Sequence, residues 1–325
     1  MLENAKEVFT MEKIYDMIII GGGPAGYTAA LYGARSGIRT LVIEKMSAGG
    51  QMALTDKIDN YPGFDDGIDG FSLGEKMKTE AERFGTCTKS AAVQSADLKP
   101  DPKVIKTSGD IFYGRTVIIA TGAEPRELGV DREKELVGRG VSYCASCDGM
   151  FFKGKAVVVV GGGNTAAADI LLLSRVASKV FVVHRRDTLR ASKVYHEALL
   201  KAENVEFCWD SQVTGILCDI AVTSPRAKVT GARIKNLKTD EEKKLACDGI
   251  FVAIGRKPAS ELAAVQLELD EGGYIKADES TKTNIPGVYA AGDVRTKALR
   301  QIITAAADGA MAAHYAEEYL AGKYR

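Results

Sequence analysis

Short apolar runs recur along this chain. Each is followed by glycine and then by a stretch of helical period. Asp16-Met-Ile-Ile-Ile20 is the first, as expected of a strand buried on both faces of a parallel sheet. It runs into Gly21-x-Gly23-x-x-Gly26, and the positions from 27 to 36 then follow a helical pattern. Thr40-Leu-Val-Ile43 predicts a second strand, ending in Glu44. The same unit returns later: Lys155-Ala-Val-Val-Val-Val160, then Gly161, Gly163 and Ala166, a helix over about 165–175, and the strand Lys179-Val-Phe-Val-Val183. Three more apolar strands end in glycine. They are 115–122 with Ala120-Thr121-Gly122, Val252-Ala-Ile-Gly255, and 285–292, which leads into Asp293. The stretch between Trp209 and Asp248 is polar and reads as an irregular edge.

Strand, glycine turn, helix and strand, met twice, predict an α/β chain with two Rossmann-like dinucleotide-binding domains. In the first turn Gly21 allows the tight bend and Gly23 lets backbone approach a pyrophosphate. Gly26 lets the helix pack on the strand, with Pro24 and Ala25 in its opening turn. In the second turn Gly161, Gly163 and Ala166 repeat these roles, with Asn164 and Thr165 between them. The strand after each helix ends differently. Glu44 can accept hydrogen bonds from ribose hydroxyls, whereas His184, Arg185 and Arg186, with Arg190 beyond, stand at the matching place in the second unit. A carboxylate there repels a 2′-phosphate and guanidinium groups pair with it, so the second site is expected to take NADPH. A solvated basic run at a strand end is the plainer reading of the same residues. The first site is expected to take FAD. Gly292-Asp293 ends a strand, and the helix from about 301–302 directs its positive end where a reduced flavin becomes anionic. An ordinary turn or cap is the plainer reading of Asp293.

Between the two units lies Cys144-Ala-Ser-Cys147-Asp148. Such a pair closes into a reducible disulfide, and one thiol ionises readily near a helix N-terminus. Half of a zinc site and a pair of core cysteines are the alternatives. Cys87, Cys208, Cys218 and Cys247 form no second Cys-x-x-Cys, and His184, His196 and His314 are not at ligand spacing from the pair, so no metal is expected. The 325 residues are 46% hydrophobic and 26% charged, enough for two domains, and 43 basic residues balance 43 acidic ones. That balance gives no reason to expect nucleic acid or an anionic membrane as partner. No apolar run is long enough to span a bilayer, and the start lacks a signal peptide's apolar core, so a cytoplasmic location is expected. Met11 is a candidate alternative start.

In order along the chain stand Gly21-Gly-Gly-Pro-Ala-Gly26, Gly49-Gly50-Gln51, Asn60-Tyr-Pro-Gly63, Ala120-Thr-Gly-Ala123, Gly140-Val-Ser-Tyr-Cys144-Ala-Ser-Cys147-Asp148-Gly149, Gly161-Gly-Gly-Asn-Thr-Ala166, His184-Arg-Arg186 with Arg190, and Gly292-Asp293 with Arg300-Gln301-Ile302. As a set these resemble the low-molecular-weight NADPH-dependent thioredoxin reductases from about residue 15 to 320. The resemblance implies a discontinuous FAD domain, 1–122 and 252–325, with an NADPH domain, 123–251, inserted and carrying the cysteine pair. It implies electron transfer from NADPH through FAD to Cys144–Cys147 and on to thioredoxin or a thioredoxin-like protein. A peroxiredoxin-type or glutaredoxin-like carrier is the alternative partner.

It also implies that Cys147 faces the flavin and that Asp148 moves the protons. A first-turn helix carboxylate is the plainer role of Asp148. Arg139, Met150 and Phe151 match the partner-docking groove, with packing under the redox helix as the alternative for the apolar pair. The NADPH domain is expected to swing, with hinges near 120–123 and 252–255, and the molecule to be a homodimer. One departure stands out: where the family carries two adjacent acids, this chain has Ala168-Asp169.

Overall fold

The computed structural model describes residues 14–55, 57–219, 224 and 226–324; the candidate start at Met11 lies outside the described residues. Along the chain come first β1 (Ile14–Ile20), α1 (Pro24–Arg35), β2 (Thr40–Glu44), α2 (Gly70–Arg83), β3 (Cys87–Ser90), β4 (Val93–Asp97), β5 (Lys103–Thr107), β6 (Ile111–Ile119) and β7 (Ala123–Pro125). Then follow β8 (Val141–Ser142), α3 (Ala145–Asp148), β9 (Ala156–Val160), α4 (Asn164–Ser174), β10 (Lys179–Val183), α5 (Lys193–Lys201), β11 (Val205–Cys208), β12 (Ser211–Cys218), β13 (Val229–Asn236), β14 (Glu242–Ala246), β15 (Gly249–Val252) and β16 (Arg256–Pro258). Last come β17 (Val288–Ala290) and α6 (Ile302–Tyr324).

The chain forms two compact units. One gathers the residues through Glu124 and from Lys257 onward, the other Pro125–Arg256. The junctions fall a few residues beyond 122/123 and 251/252, since β15 keeps Val252 paired with Val160 in the second unit's sheet.

In the first unit the sheet order is β3-β2-β1-β6-β5-β4, with β17 also on β6. β3, β2, β1, β6 and β17 run parallel; β5 pairs antiparallel with β6, and β4 antiparallel with β5. The long β6 serves two neighbours on one side. Its first half pairs with β5 (Phe112 with Ile105), and its second half with β17 (Ile119 with Ala290). Met17 to Ile20 are all buried, which explains why this strand reads as an uninterrupted apolar run. α1 packs against α6 through small residues: Ala25, Ala29 and Ala30 on one, Ala305, Ala312, Ala313 and Ala316 on the other. Their three- and four-residue spacing keeps them on one face of each helix.

The second unit holds a five-stranded parallel sheet, β11-β10-β9-β15-β8, and a three-stranded antiparallel sheet, β12-β13-β14. The latter corrects the reading of 209–248 as irregular. Val213 and Ile216 on β12, Val229, Ala232 and Ile234 on β13, and Leu245 on β14 are buried in one core with Val158, Val160 and Val183 of the parallel sheet. Polar side chains stand at most of the exposed positions, Gln212 on β12, Thr230 and Arg233 on β13, and Glu242, Lys243 and Lys244 in a row on β14, and a bulge between Val213 and Gly215 breaks the alternation, so the strand period is masked.

The helix contact sets a prediction. A Cβ on Gly309 would lie 2.2 Å from the Ala25 carbonyl oxygen, whereas one on Gly322 of the same helix meets nothing within 4 Å. Gly309→Ala is expected to cost about 1–3 kcal/mol and lower Tm, while Gly322→Ala gains a few tenths through helix propensity. Thermal denaturation of the two variants checks the opposite signs.

Candidate functional site

In the first unit the predicted turns meet at the carboxyl edge of the parallel strands. The Gly21 N–H donates to Ile43 O at 2.9 Å, the Ala120 N–H to Ile20 O at 2.8 Å, and the Ala291 N–H to Ile119 O at 2.9 Å. Gly21 has φ +108°, and a Cβ on it would stand 2.4 Å from Ala120 O, so only glycine fits. Gly23 caps α1, whose first turn is Pro24, Ala25 and Gly26. Its own surroundings are open: a side chain there would meet nothing nearer than Gly49 O, 3.9 Å from its Cβ. The Gly49 N–H donates to Gly22 O at 2.8 Å, which brings Gly50 and the short helical turn bearing Gln51 to the same place. Glu44 accepts from the Gly22 N–H at 2.5 Å and from the Met46 N–H at 2.9 Å. A carboxylate has further lone pairs, so these bonds leave it able to take a ribose hydroxyl. Asn60 donates to Gln301 Oε1 at 3.0 Å, uniting two predicted residues far apart in sequence. Thr121 Oγ donates to Ala259 O at 2.6 Å, and Gly122 follows at φ +73°. Arg300 stacks over Tyr274 at 4.0 Å, and α6 begins at Ile302.

A buried ionic cluster holds this second half of the edge. Asp308, on α6 and only 6% exposed, accepts from the Gly292 N–H at 2.9 Å, from Arg295 at 2.7 and 2.9 Å, and from Lys297 at 2.8 Å. Burial pushes its carboxyl up, but the hydrogen bonds from Arg295 and Lys297 overcome that and hold it below the usual carboxylate range. The cluster fixes the segment carrying Asp293, Arg300 and Gln301. Sequence reasoning missed it; the available signal was an aspartate inside an alanine-rich helix, with two cations after Gly292-Asp293. The residues fit FAD: an open glycine turn at a helix start, an acid at the next strand end, and a second helix start at the same edge.

The second unit repeats the device. Gly161 has φ +150°, and a Cβ on it would lie 2.4 Å from Ala253 O. Gly163 is open, and Ala166 is fully buried. The loop after β10 folds back on this turn: Arg190 and Ala191 N–H groups donate to Gly162 O at 2.7 and 3.0 Å, and Asn164 Oδ1 accepts from the Ser192 N–H at 2.7 Å. Arg185, Arg186 and Arg190 are thereby gathered beside it and exposed, as is Thr165. His184 stands apart from them. It is 5% exposed and lies edge-on to Trp209 at 6.3 Å. Its ring fills the place a Gly162 side chain would take, and Nε2 has no hydrogen-bond partner. Burial, and then the neighbouring arginines, lower its pKa against a bond with Thr188, so the ring is neutral at pH 7. It supports the turn while the arginines face solvent. Ala168 is exposed, and Asp169 is half-buried with its carboxyl pushed up to about 7 by burial, against the pull of Arg256.

Cys144 and Cys147 are joined in a disulfide with Cα atoms 5.3 Å apart, on either side of the first turn of α3. Asp148 ends α3 and accepts from Ser142 Oγ at 2.6 Å. The Cys144 N–H donates to the same Oγ at 3.1 Å, a second residue the sequence reading passed over. Next to it, Tyr143 donates to buried Glu133 at 2.8 Å. Met150 and Phe151 are 63% and 48% exposed, while Phe152 packs edge-to-face on Phe251 at 5.1 Å, so packing accounts only for the third of the three. Arg139 donates to Ser224 O at 2.8 Å and to Glu135 O. Burial pushes the Cys247 thiol up to about 12, which keeps it inert. Among the described residues no group of three or more His, Cys, Asp or Glu could hold a metal, and no helix is long and apolar enough to cross a membrane.

Two nucleotide turns and a closed Cys-x-x-Cys pair define a flavin-type disulfide oxidoreductase, and the chain belongs to the pyridine nucleotide-disulphide oxidoreductase family, whose pattern matches residues 15–309. Within it the chain is similar to the thioredoxin reductases. It is 46% identical to that of Streptomyces clavuligerus over 314 residues, 96% of this chain and 95% of the relative. The crystal structure of thioredoxin reductase from Streptococcus pyogenes MGAS5005 matches with a TM-score of 0.87 at 42% identity, covering 95% of this chain and 99% of that one. The Lactococcus lactis thioredoxin reductase in its FR conformation matches with 0.66 at 42% identity and the same coverage. Thioredoxin reductases of this family use FAD and NADPH.

The raised carboxyl of Asp169 carries a pH signature. An acid whose folded pKa lies above its unfolded value costs nothing below about pH 4. Its penalty grows between about 4 and 7 as the unfolded form alone ionises, and is constant above. Asp169→Asn is therefore expected to match wild-type stability at pH 4 and exceed it at pH 8, as denaturant titrations at the two pH values would reveal.

Proposed function

We propose that this chain is an NADPH-dependent thioredoxin reductase in which the first unit binds FAD and the second binds NADPH and carries the exchanging disulfide. The observation that carries this reading is the closed Cys144–Cys147 pair with Asp148 beside it, in the same unit as a glycine turn flanked by exposed arginines. Gly21, Gly23, Pro24, Ala25, Gly26, Glu44, Gly50, Gln51, Asn60, Ala120, Thr121, Gly122, Gly292, Asp293, Arg300, Gln301 and Ile302 would hold FAD. Gly161, Gly163, Asn164, Thr165 and Ala166 would hold the NADPH pyrophosphate and Arg185, Arg186 and Arg190 its 2′-phosphate, with neutral His184 propping the turn. When bound, FAD supplies a carrier that takes an electron pair from NADPH and yields it to a disulfide.

The chain's own steps follow from the sulfurs. The Cys144–Cys147 bond takes up two electrons and opens to two thiolates. Asp148 delivers a proton to one of them and recovers it when the pair closes again. The other thiolate attacks the partner's disulfide, forming a mixed disulfide and releasing one partner sulfur as a thiolate; the remaining cysteine then attacks the mixed disulfide, which closes Cys144–Cys147 and releases the partner's second sulfur. The resemblance gives Cys147 as the sulfur nearer the flavin. Exposed Met150 and Phe151 offer an apolar surface suited to a partner. The resemblance gives Arg139 as the basic residue of the same groove.

Rotation of the halves about the crossing segments near 120–123 and 252–255 is proposed here, as the resemblance implies. A homodimer and a cytoplasmic location belong to the same reading; an exposed free thiol, Cys87, suits a reducing compartment.

FAD-loaded protein mixed with NADPH and a thioredoxin is expected to release thiols, detected with a chromogenic disulfide, and to lose this on Cys147→Ser. Flavin bleaching without thioredoxin turnover would remove the partner assignment and leave the redox chemistry; a peroxiredoxin-type or glutaredoxin-like carrier would then be tried. Arg185→Ala combined with Arg186→Ala is expected to raise KM for NADPH about 10-fold or more and leave that for NADH unchanged, since each lost charge-assisted bond is worth about 1.5–3 kcal/mol. Equal effects on both nucleotides in steady-state kinetics would count against a 2′-phosphate site.

A further inference from the structure

We propose that Ser142 is a positioning residue for proton transfer at the Cys144–Cys147 pair, acting through Asp148; this rests on the disulfide-reductase reading above. Its side chain is 4% exposed, and its single hydroxyl proton goes to Asp148 Oδ2 at 2.6 Å, the shorter of its two candidate acceptors, the other being Cys144 O at 3.4 Å. The same oxygen accepts the Cys144 N–H at 3.1 Å. One buried atom thus links the carboxyl group to the backbone of a reacting cysteine.

The link is rigid at its base. β8 is paired in the parallel sheet, Ser142 opposite Phe251 and Val141 opposite Ile250, and the Ile250 N–H donates to Gly140 O at 2.7 Å. Strand pairing therefore fixes Oγ, and Oγ fixes the rotation of the Asp148 carboxyl about its side-chain axis. A carboxyl that turns away from the sulfurs cannot serve them, because proton transfer needs hydrogen-bond reach at the moment the bond opens or closes. The redox step itself is unchanged: the disulfide gains two electrons and opens, one sulfur takes a proton from Asp148, and that proton returns to Asp148 when Cys144–Cys147 closes again as the partner's disulfide is reduced. Ser142 changes only how often Asp148 stands ready.

The test uses the FAD-loaded holoenzyme. Ser142→Ala is expected to lower kcat about 10-fold, a part of the 10²–10⁴-fold that general acid–base catalysis supplies, with KM for NADPH, bound flavin and Tm unchanged. Ser142→Thr, which keeps the hydroxyl, restores kcat to within a few-fold, and the isosteric Ser142→Val does not. This pair also serves if the alanine variant is unstable. In an Asp148→Asn background, Ser142→Ala has no further effect. A parallel measurement follows the opening of the Cys144–Cys147 bond by dithiothreitol, without nucleotide or thioredoxin, read by thiol alkylation and mass. Slower opening in the alanine and valine variants, and normal opening in the threonine variant, upholds the inference even if no thioredoxin is turned over. Wild-type kcat in Ser142→Ala, or an equal loss with and without Asp148, overturns it while thioredoxin turnover by the wild type leaves the functional reading intact.

Discussion

Each unit is organised by a glycine pressed against a carbonyl at the end of the neighbouring strand. Gly21 abuts Ala120 O and Gly161 abuts Ala253 O, and a side chain at either glycine would stand 2.4 Å from that oxygen. The contact decides much else. It keeps two parallel strands in register at their carboxyl ends, and it starts the following helix with its N–H groups facing that edge. It also ties the turn to the segments beyond the neighbouring strands, Ala120-Thr-Gly122 and Ala253-Ile-Gly255. Those segments lead into β7 and β16, where the chain crosses between units. Each glycine turn is thereby packed against a segment that leads to a crossing between the units.

The two edges share geometry and differ in charge. In the first, Glu44 already spends two acceptor positions on Gly22 and Met46, so the carboxylate is part of the turn's own scaffold. Opposite it, Asp308 gathers Gly292, Arg295 and Lys297 into a buried cluster of one anion and two cations. Such a cluster is costly to break from one side, because it strands a buried charge, and this gives the loop after β17 a fixed shape before any ligand arrives. In the second unit no acid closes the turn. A neutral, buried histidine fills that space and three arginines point to solvent. The interior of one site is ionic and its rim acidic; the interior of the other is aromatic and its rim basic.

The fold was legible wherever burial on both faces wrote itself as an apolar run. β1, β9 and β10 appear where the sequence predicts them, with ends shifted by no more than two residues. The edge sheet β12-β13-β14 was not legible, because β14 runs three charged residues together, Glu242, Lys243 and Lys244, and a bulge interrupts the period of β12. At the site, the glycines, Glu44 and the cysteine pair were readable because their spacing is local. His184 was read as part of a basic cluster because adjacency in sequence cannot separate a side chain pointing inward from its neighbour pointing out; strand alternation through β10 does so. Asp308 and Ser142 went unread for other reasons. Asp308's partners lie 11–16 residues away across a helix–loop contact with no spacing that announces it. Ser142 has a local spacing to Cys144, a serine turn, but that pattern is common and says nothing of the bond to Asp148 six residues on.

The placement of the proton group bears on any mechanism that needs the halves to move. Ser142, Cys144, Cys147 and Asp148 lie within seven consecutive residues of one unit, tied to each other by the disulfide and by two hydrogen bonds to one hydroxyl. Whatever position that unit takes, Asp148 stays tied through Ser142 to the segment that carries the sulfurs. On the proposed reading the electrons come from a cofactor held by the other unit, so electron transfer would depend on the placement of that unit, whereas proton transfer would not. A carboxylate supplied by the first unit would serve the sulfurs only while they faced the flavin, and would be missing when they exchange with a protein partner. An acid kept in the same short segment as the cysteines would let one residue serve both the opening and the closing of the disulfide.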